Sequence, residues 1–275
     1  QFTTPAYIRR MYLQDLYRFF RIFPHAAQFD HPFKTGNDLG HVLFFASPLF
    51  RGTQLECHFD KVVSLLFRQK RSDDAERLLQ CYSPESRTFT YYMMTKDYEQ
   101  ALLLQPDNEK AMQGRARTLF DRREYEKAAE QYDRLIEKNP AKQSYELNKA
   151  VCLTSLGRYD EAQKMLFRMS YERPEDLSVS RVLAWTMTCD GRYEQALALY
   201  EKLNATDTPA ADDVLNEGYC RWFEGSDVGR AVSCFKQYLQ LTDEPAKVVI
   251  EGEQELLDRK GISEPERFMM LDSIA

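Results

Sequence analysis

One interval recurs through the middle of this chain and limits what it can become: 34 residues separate Pro106 from Pro140 and Pro140 from Pro174. The same interval separates Tyr125, Tyr159 and Tyr193, and again Ala128, Ala162 and Ala196. A fixed period of this length is the mark of a helical hairpin stacked on copies of itself. The segments REYEKAAEQYDRLIEKNP and GRYDEAQKMLFRMSYERP each place a tyrosine at a turn, an alanine three residues on, a bulky residue four beyond that, and a proline at the helix end.

Each recurring residue has a physical reason. Two antiparallel helices in close contact need a small side chain where they cross, which accounts for Ala128, Ala162 and Ala196. Tyr132, Leu166 and Tyr200 follow one turn later on the same face and are expected to fill the gap between hairpins. Gly157 and Gly191 suit a helix end, where a left-handed residue costs glycine nothing. Proline ends the second helix and excludes helical geometry from the residue before it.

These residues resemble the tetratricopeptide repeat family. The resemblance implies an all-α fold, a right-handed α-solenoid of stacked helix-turn-helix hairpins with flanking N- and C-terminal helices. The expected division is an N-terminal helix with an irregular connection over 1–36, a degenerate hairpin over 37–71, repeats over 72–106, 107–140, 141–174, 175–209 and 210–244, and capping helices over 245–275. The unit ending at Pro106 is read as a first helix from Ser72 that breaks early, with the second starting at Ser83 and Pro84. The fifth unit keeps Gly218 and Ala231 but has one extra residue in its turn. After it, Pro245 is expected to open a helix reaching Lys260, and Ser263 to cap a last short one.

Composition narrows the class. A 43% hydrophobic chain of 275 residues can bury a sizeable core, and the repeats favour one continuous solenoid. Residues 1–70 carry nine Lys or Arg against five Asp or Glu, which leaves 28 against 38 for the remainder. The repeats are therefore acidic, and an acidic array repels phosphate, so no nucleic-acid partner is expected. No run approaches the roughly 18 apolar residues of a membrane span. Six cysteines without a CxxC pair read as reduced core thiols, which points to the cytoplasm. The chain begins at Gln1 and not at methionine, which leaves open a leader or upstream domain.

Near the N-terminus, AYIRRMYLQDLYRFFRIF continues without a breaker to Pro24. Its Arg9, Arg10, Arg18 and Arg21 suit either a basic face for lipid or RNA, or a packed aromatic helix with its arginines in water; the second is the expectation. His25, His31, His41 and His58 are all the histidines of the protein. Their spacing matches no short ligand pattern, so no metal is expected.

Catalytic signatures are missing: there is no Gly-rich phosphate loop, no GxSxG and no HExxH. Neither an enzyme nor a cofactor is expected, and what remains is a surface. In the family that the repeats resemble, the first helices line the concave side and meet the ligand. Carried over position by position, this implies Lys110, Gln113 and Arg117, then Asn148 and Val151, then Arg181 and Trp185, then Asn216, Tyr219 and Trp222. Aromatic residues and arginine anchor protein ligands, so the mixture fits a groove for a peptide or protein. Tyr219 and Trp222 have a second reading, burial beneath the terminal helices. Of the residues with which family members grip a C-terminal carboxylate, Asn148 alone is present, so a receptor for chaperone tails is not expected. The resemblance thus implies a non-enzymatic interaction scaffold; the alternative is a regulatory or structural domain of a larger protein.

Overall fold

The computed structural model describes residues 59–275 apart from 81, 83, 85, 86 and 206–208, together with residues 4, 7, 8, 11 and 15. Of the helix expected within 1–36, residues 7, 8, 11 and 15 are described and are helical; the four histidines and the first helix of the 37–71 hairpin lie outside the described residues. The chain divides into two compact units, Gln1–Gly114 and Arg115–Ala275.

In the first unit, α1 (Phe59–Arg68) packs on α2 (Ser72–Leu79), and α3 (Phe89–Met94) on α4 (Tyr98–Leu104). Val63, Leu66, Ala75 and Leu78 form the buried side of the first pair. Asp60 accepts hydrogen bonds from the Tyr82 hydroxyl at 2.6 Å and the Thr88 hydroxyl at 2.7 Å. Thr88 also caps α3, accepting from the Tyr91 N–H, and Asp97 caps α4 from the Gln100 N–H. The expected single hairpin over 72–106 is thus corrected. Helix α2 pairs backward with α1, and the α-helix that follows among the described residues, α3, starts at the Thr88 cap; Ser83 lies outside the described residues. The unit ends within α5 (Glu109–Asp121), where a Cβ on Gly114 would come within 2.4 Å of the Tyr98 ring.

The second unit holds α6 (Tyr125–Lys138), α7 (Ser144–Ser155), α8 (Tyr159–Glu172), α9 (Leu177–Asp190), α10 (Tyr193–Asn204), α11 (Ala211–Glu224) and α12 (Val228–Thr242). Each packs on the next, while α7 also packs on α9 and α9 on α11, so the first helices of successive hairpins form one layer. Ala128, Ala162, Ala196 and Ala231 are fully buried. A second column of small residues, Ala116, Ala150, Ala184 and Gly218, is equally buried and follows the same 34-residue interval. At Gly218 the reason is explicit, since a Cβ would lie 2.7 Å from the Phe235 ring.

The turns repeat as faithfully as the core. Left-handed residues occur at Arg123 (φ 62°), Gly157 (φ 77°), Gly191 (φ 85°) and Gly225 (φ 80°). At the first three, the following N–H returns to the helix five residues back: Glu124 to Leu119, Arg158 to Leu153, Arg192 to Met187. Polar contacts between hairpins keep a sequence separation of 32: Arg158 with Glu126, Thr154 with Thr186, and Arg181 with Asp213. The turn after α11 has the extra residue expected: Ser226 stands between Gly225 and Asp227, and Asp227 caps α12.

Beyond α12 the chain forms α13 (Val248–Glu251), α14 (Gln254–Arg259) and α15 (Glu264–Ile274). The single helix expected from Pro245 to Lys260 is broken at Gly252–Glu253, where Glu253 leaves helical geometry (φ −124°, ψ 32°). Glycine is a poor helix former and places no side chain in the core, so the break falls there at little cost. Ser263 and Glu266 form the anticipated reciprocal cap. Among the described residues, no helix is long and apolar enough to cross a membrane.

Candidate functional site

The first-helix residues fall into three groups. Lys110 and Arg117 are exposed, whereas Gln113, Asn148, Val151, Trp185 and Asn216 are partly buried. Arg181 is committed within the chain: its Nε donates to both carboxylate oxygens of Asp213, at 3.0 and 2.7 Å. The Asp213 side chain is 1% exposed, so this guanidinium balances a buried charge.

Tyr219 and Trp222 correct the expected groove. They are 1% and 7% exposed and belong to a core cluster with Phe235, Val249, Ile250, Leu257, Met270 and Ile274. The Tyr219 hydroxyl donates to the Val249 carbonyl at 2.6 Å. The last repeat has no following hairpin, and the apolar face of its first helix is covered by the chain's own α13, α14 and α15.

Where that cover ends, a cavity of about 220 Å3 remains. Val151, Thr154 and Ser155 of α7 and Trp185 and Cys189 of α9 line one side. Phe120, Arg123 and Tyr125, from the turn between α5 and α6, line a second, and Gly252, Glu253, Glu255, Leu256 and Arg259 a third. The structure therefore brings together two of the expected residues, Val151 and Trp185. Glu255 and Lys260 of the tail make polar contacts with the repeats. Arg123 pairs with Glu255, and Lys260 donates to the Cys189 carbonyl at 2.9 Å and the Tyr193 hydroxyl at 3.1 Å. The Lys260 ammonium also lies over the Tyr193 and Phe223 rings, at 5.1 and 5.8 Å from their centroids.

Burial governs the titratable groups at the cavity. Burial pushes the Cys189 thiol up to about 12, so at neutral pH it is protonated and a poor nucleophile. Burial also raises the Tyr125 phenol and the Glu253 carboxyl, the latter against the opposing pull of Arg259 and Arg123. The Glu253 carboxyl has no hydrogen-bond or ion-pair partner among the described residues, whereas Glu255 and Arg123 pair with each other. Among the described residues, no group of three or more His, Cys, Asp or Glu is placed to hold a metal ion. Arg123, Glu253 and Arg259 were missed in the sequence. Two signals pointed toward them: Arg123 stands where later repeats have glycine, and Gly252 interrupts an expected helix.

The tetratricopeptide repeat family matches residues 96–140 and 114–176. No curated protein matches the sequence. Among solved structures, a tetratricopeptide repeat protein from Parabacteroides merdae ATCC 43184 is similar with a TM-score of 0.61 at 17% identity, over 92% of this chain and 99% of that one. Two mutants of MamA are similar at TM-scores of 0.42 and 0.40, with 24% and 16% identity, covering 54% and 68% of this chain and 94% and 95% of theirs. The likeness to the Parabacteroides protein is one of fold. Residues 96–176 therefore carry repeats of the tetratricopeptide family, and the stacked helix pairs that follow continue the same hairpin.

Proposed function

We propose that the chain is a non-enzymatic interaction scaffold that holds a peptide or protein partner against the layer formed by α7 and α9, with Arg117, Asn148, Val151 and Trp185 in contact. The observation that carries this reading is the cavity. Val151 and Trp185 line a cavity that remains between the repeats and the tail, whereas Tyr219, the counterpart of Trp185 one repeat later, is sealed. A large aromatic in a concave, partly desolvated place is the kind of residue that dominates interface energies. A binder of this design uses preformed surface and needs no catalytic group.

The test is to recover a partner by pull-down and compare variants by calorimetry, after circular dichroism has verified folding. Trp185→Ala is expected to weaken binding by about 2 kcal/mol or more, and Arg117→Ala by about 1 to 2 kcal/mol. Glu130→Ala and Lys164→Ala, exposed on the second helices α6 and α8, are expected to leave it unchanged. Loss of binding in the second-helix variants with retention in Trp185→Ala would place the ligand elsewhere.

A further inference from the structure

We propose that the cavity beneath the tail takes a single basic side chain, lysine or arginine, from the partner. The inference rests on the scaffold reading for the source of that side chain and on the cavity alone for its chemistry.

Three aromatic residues, Phe120, Tyr125 and Trp185, stand among its walls, and π-faces attract cations. Four charged groups line it: Arg123, Glu253, Glu255 and Arg259. Arg123 and Glu255 neutralise one another. Arg259 is exposed to water, and its Nε donates to the Glu255 carbonyl at 3.4 Å. Of the two charges that remain, Arg259 and Glu253, Glu253 is the partly buried one: its carboxyl makes no hydrogen bond or ion pair, and Arg259 and Arg123 act on it only through space. A desolvated carboxylate beside aromatic faces is complementary to an ammonium or guanidinium, which regains for it the interaction lost with water. The volume of about 220 Å3 suits the end of one side chain and not a folded element. The exposed positive charge of Arg259 at the same cavity disfavours a second cation, so the residues flanking the inserted one are expected to be neutral or acidic.

The chemistry can be tested without a partner. The intact chain is titrated with n-butylammonium and n-butylguanidinium chloride, with n-butanol and sodium n-butyrate as controls at matched ionic strength. The readout is tryptophan emission, in which Trp185 at the cavity responds and buried Trp222 supplies a constant background. A saturable change with both cations and neither control is expected. Glu253→Gln should weaken the cations about tenfold, the size of one charge-assisted hydrogen bond. Phe120→Leu should also weaken them, which keeps the proposal open to test should Glu253→Gln fail to fold. No saturable response to either cation, an equal response to butyrate or butanol, or undiminished binding in folded Glu253→Gln overturns it. Cation binding together with a partner indifferent to Trp185→Ala defeats the scaffold reading and with it the basic side chain's source. A partner that needs Trp185 in a protein blind to the cations defeats the present inference alone.

Discussion

Arg117, Val151, Trp185 and Tyr219 occupy the same position in four successive hairpins, yet their surroundings differ along the series. Arg117 is exposed, Val151 and Trp185 are partly buried at a cavity, and Tyr219 is 1% exposed with its hydroxyl bonded to the tail. The repeat determines where each side chain projects. The non-repeating residues 245–275 determine which of those side chains water and partners can reach. The tail is a fixed part of the fold: Val249, Ile250, Leu256, Leu257, Met270 and Ile274 are buried, and each such side chain contributes about 1.5 to 3 kcal/mol.

The two tryptophans test this contrast most severely. Trp222→Ala should cost about 3 to 5 kcal/mol in urea denaturation, as for a large side chain removed from a packed core, whereas partly exposed Trp185→Ala should cost about 1 to 2 kcal/mol. Equal losses would mean that the two positions are not differently covered. Arg181→Ala comes next at about 2 to 3 kcal/mol, because the Asp213 carboxylate would remain buried and unpaired. Weaker partner binding in that variant would therefore reflect lost stability unless folding is shown to be intact. Ala162→Leu should cost about 1 to 3 kcal/mol by overpacking a fully buried helix crossing, and an unchanged melting temperature would unsettle the repeat assignment.

Much of the second unit was legible because its constraints are local and periodic. Alanine at a crossing, glycine after a helix and tyrosine at a turn each carry their reason within one hairpin. Ala116, Ala150, Ala184 and Gly218 obey the same interval and were available to the same reading. The site was less legible because it depends on contacts between distant segments. Nothing near Trp222 in the sequence says that Val249 and Met270 will cover it, nor does anything near Cys189 announce Lys260. Arg181 shows a further limit. An arginine at a ligand-facing position reads as a ligand contact until its partner, Asp213, is placed beside it.

Glu253 sharpens the comparison through pH. Burial holds its carboxyl above the ordinary value of 4.5, so the folded protein keeps this proton at a pH where the unfolded chain has released it. Between the unfolded and folded values the native state binds more protons, and stability falls as pH rises through that window. Glu253→Gln removes the cost of an ionised, unpartnered group. The variant should melt higher than the wild type at pH 7, with the advantage fading below about pH 4, where the Glu253 carboxyl is protonated in the folded and the unfolded chain alike. A lower melting temperature at pH 7 would mean that Glu253 is stabilised in the folded chain, and the cavity would lose its leftover charge.

The smallest expected effect concerns Arg123, which takes the left-handed conformation that Gly157, Gly191 and Gly225 take in later hairpins. That conformation costs a residue with a Cβ roughly 1 kcal/mol. Its ion pair with Glu255 returns little, since the two side chains are 57% and 59% exposed and pairs of that kind contribute about 0 to 1 kcal/mol. Arg123→Gly relieves the first and forfeits the second, so its stability should lie within about 0.5 kcal/mol of the wild type. Arg123→Ala keeps the backbone cost without the ion pair and should be less stable than Arg123→Gly by about 1 kcal/mol. Both are read from urea midpoints at low and high salt, and the difference between them should not depend on salt, because it arises in the backbone. A loss of well over 1 kcal/mol in Arg123→Gly, disappearing at high salt, would give the tail an electrostatic anchor at this end. Accessibility of the cavity would then vary with ionic strength, and the apolar side chains of the tail would no longer suffice to explain why Tyr219 is closed and Trp185 is open.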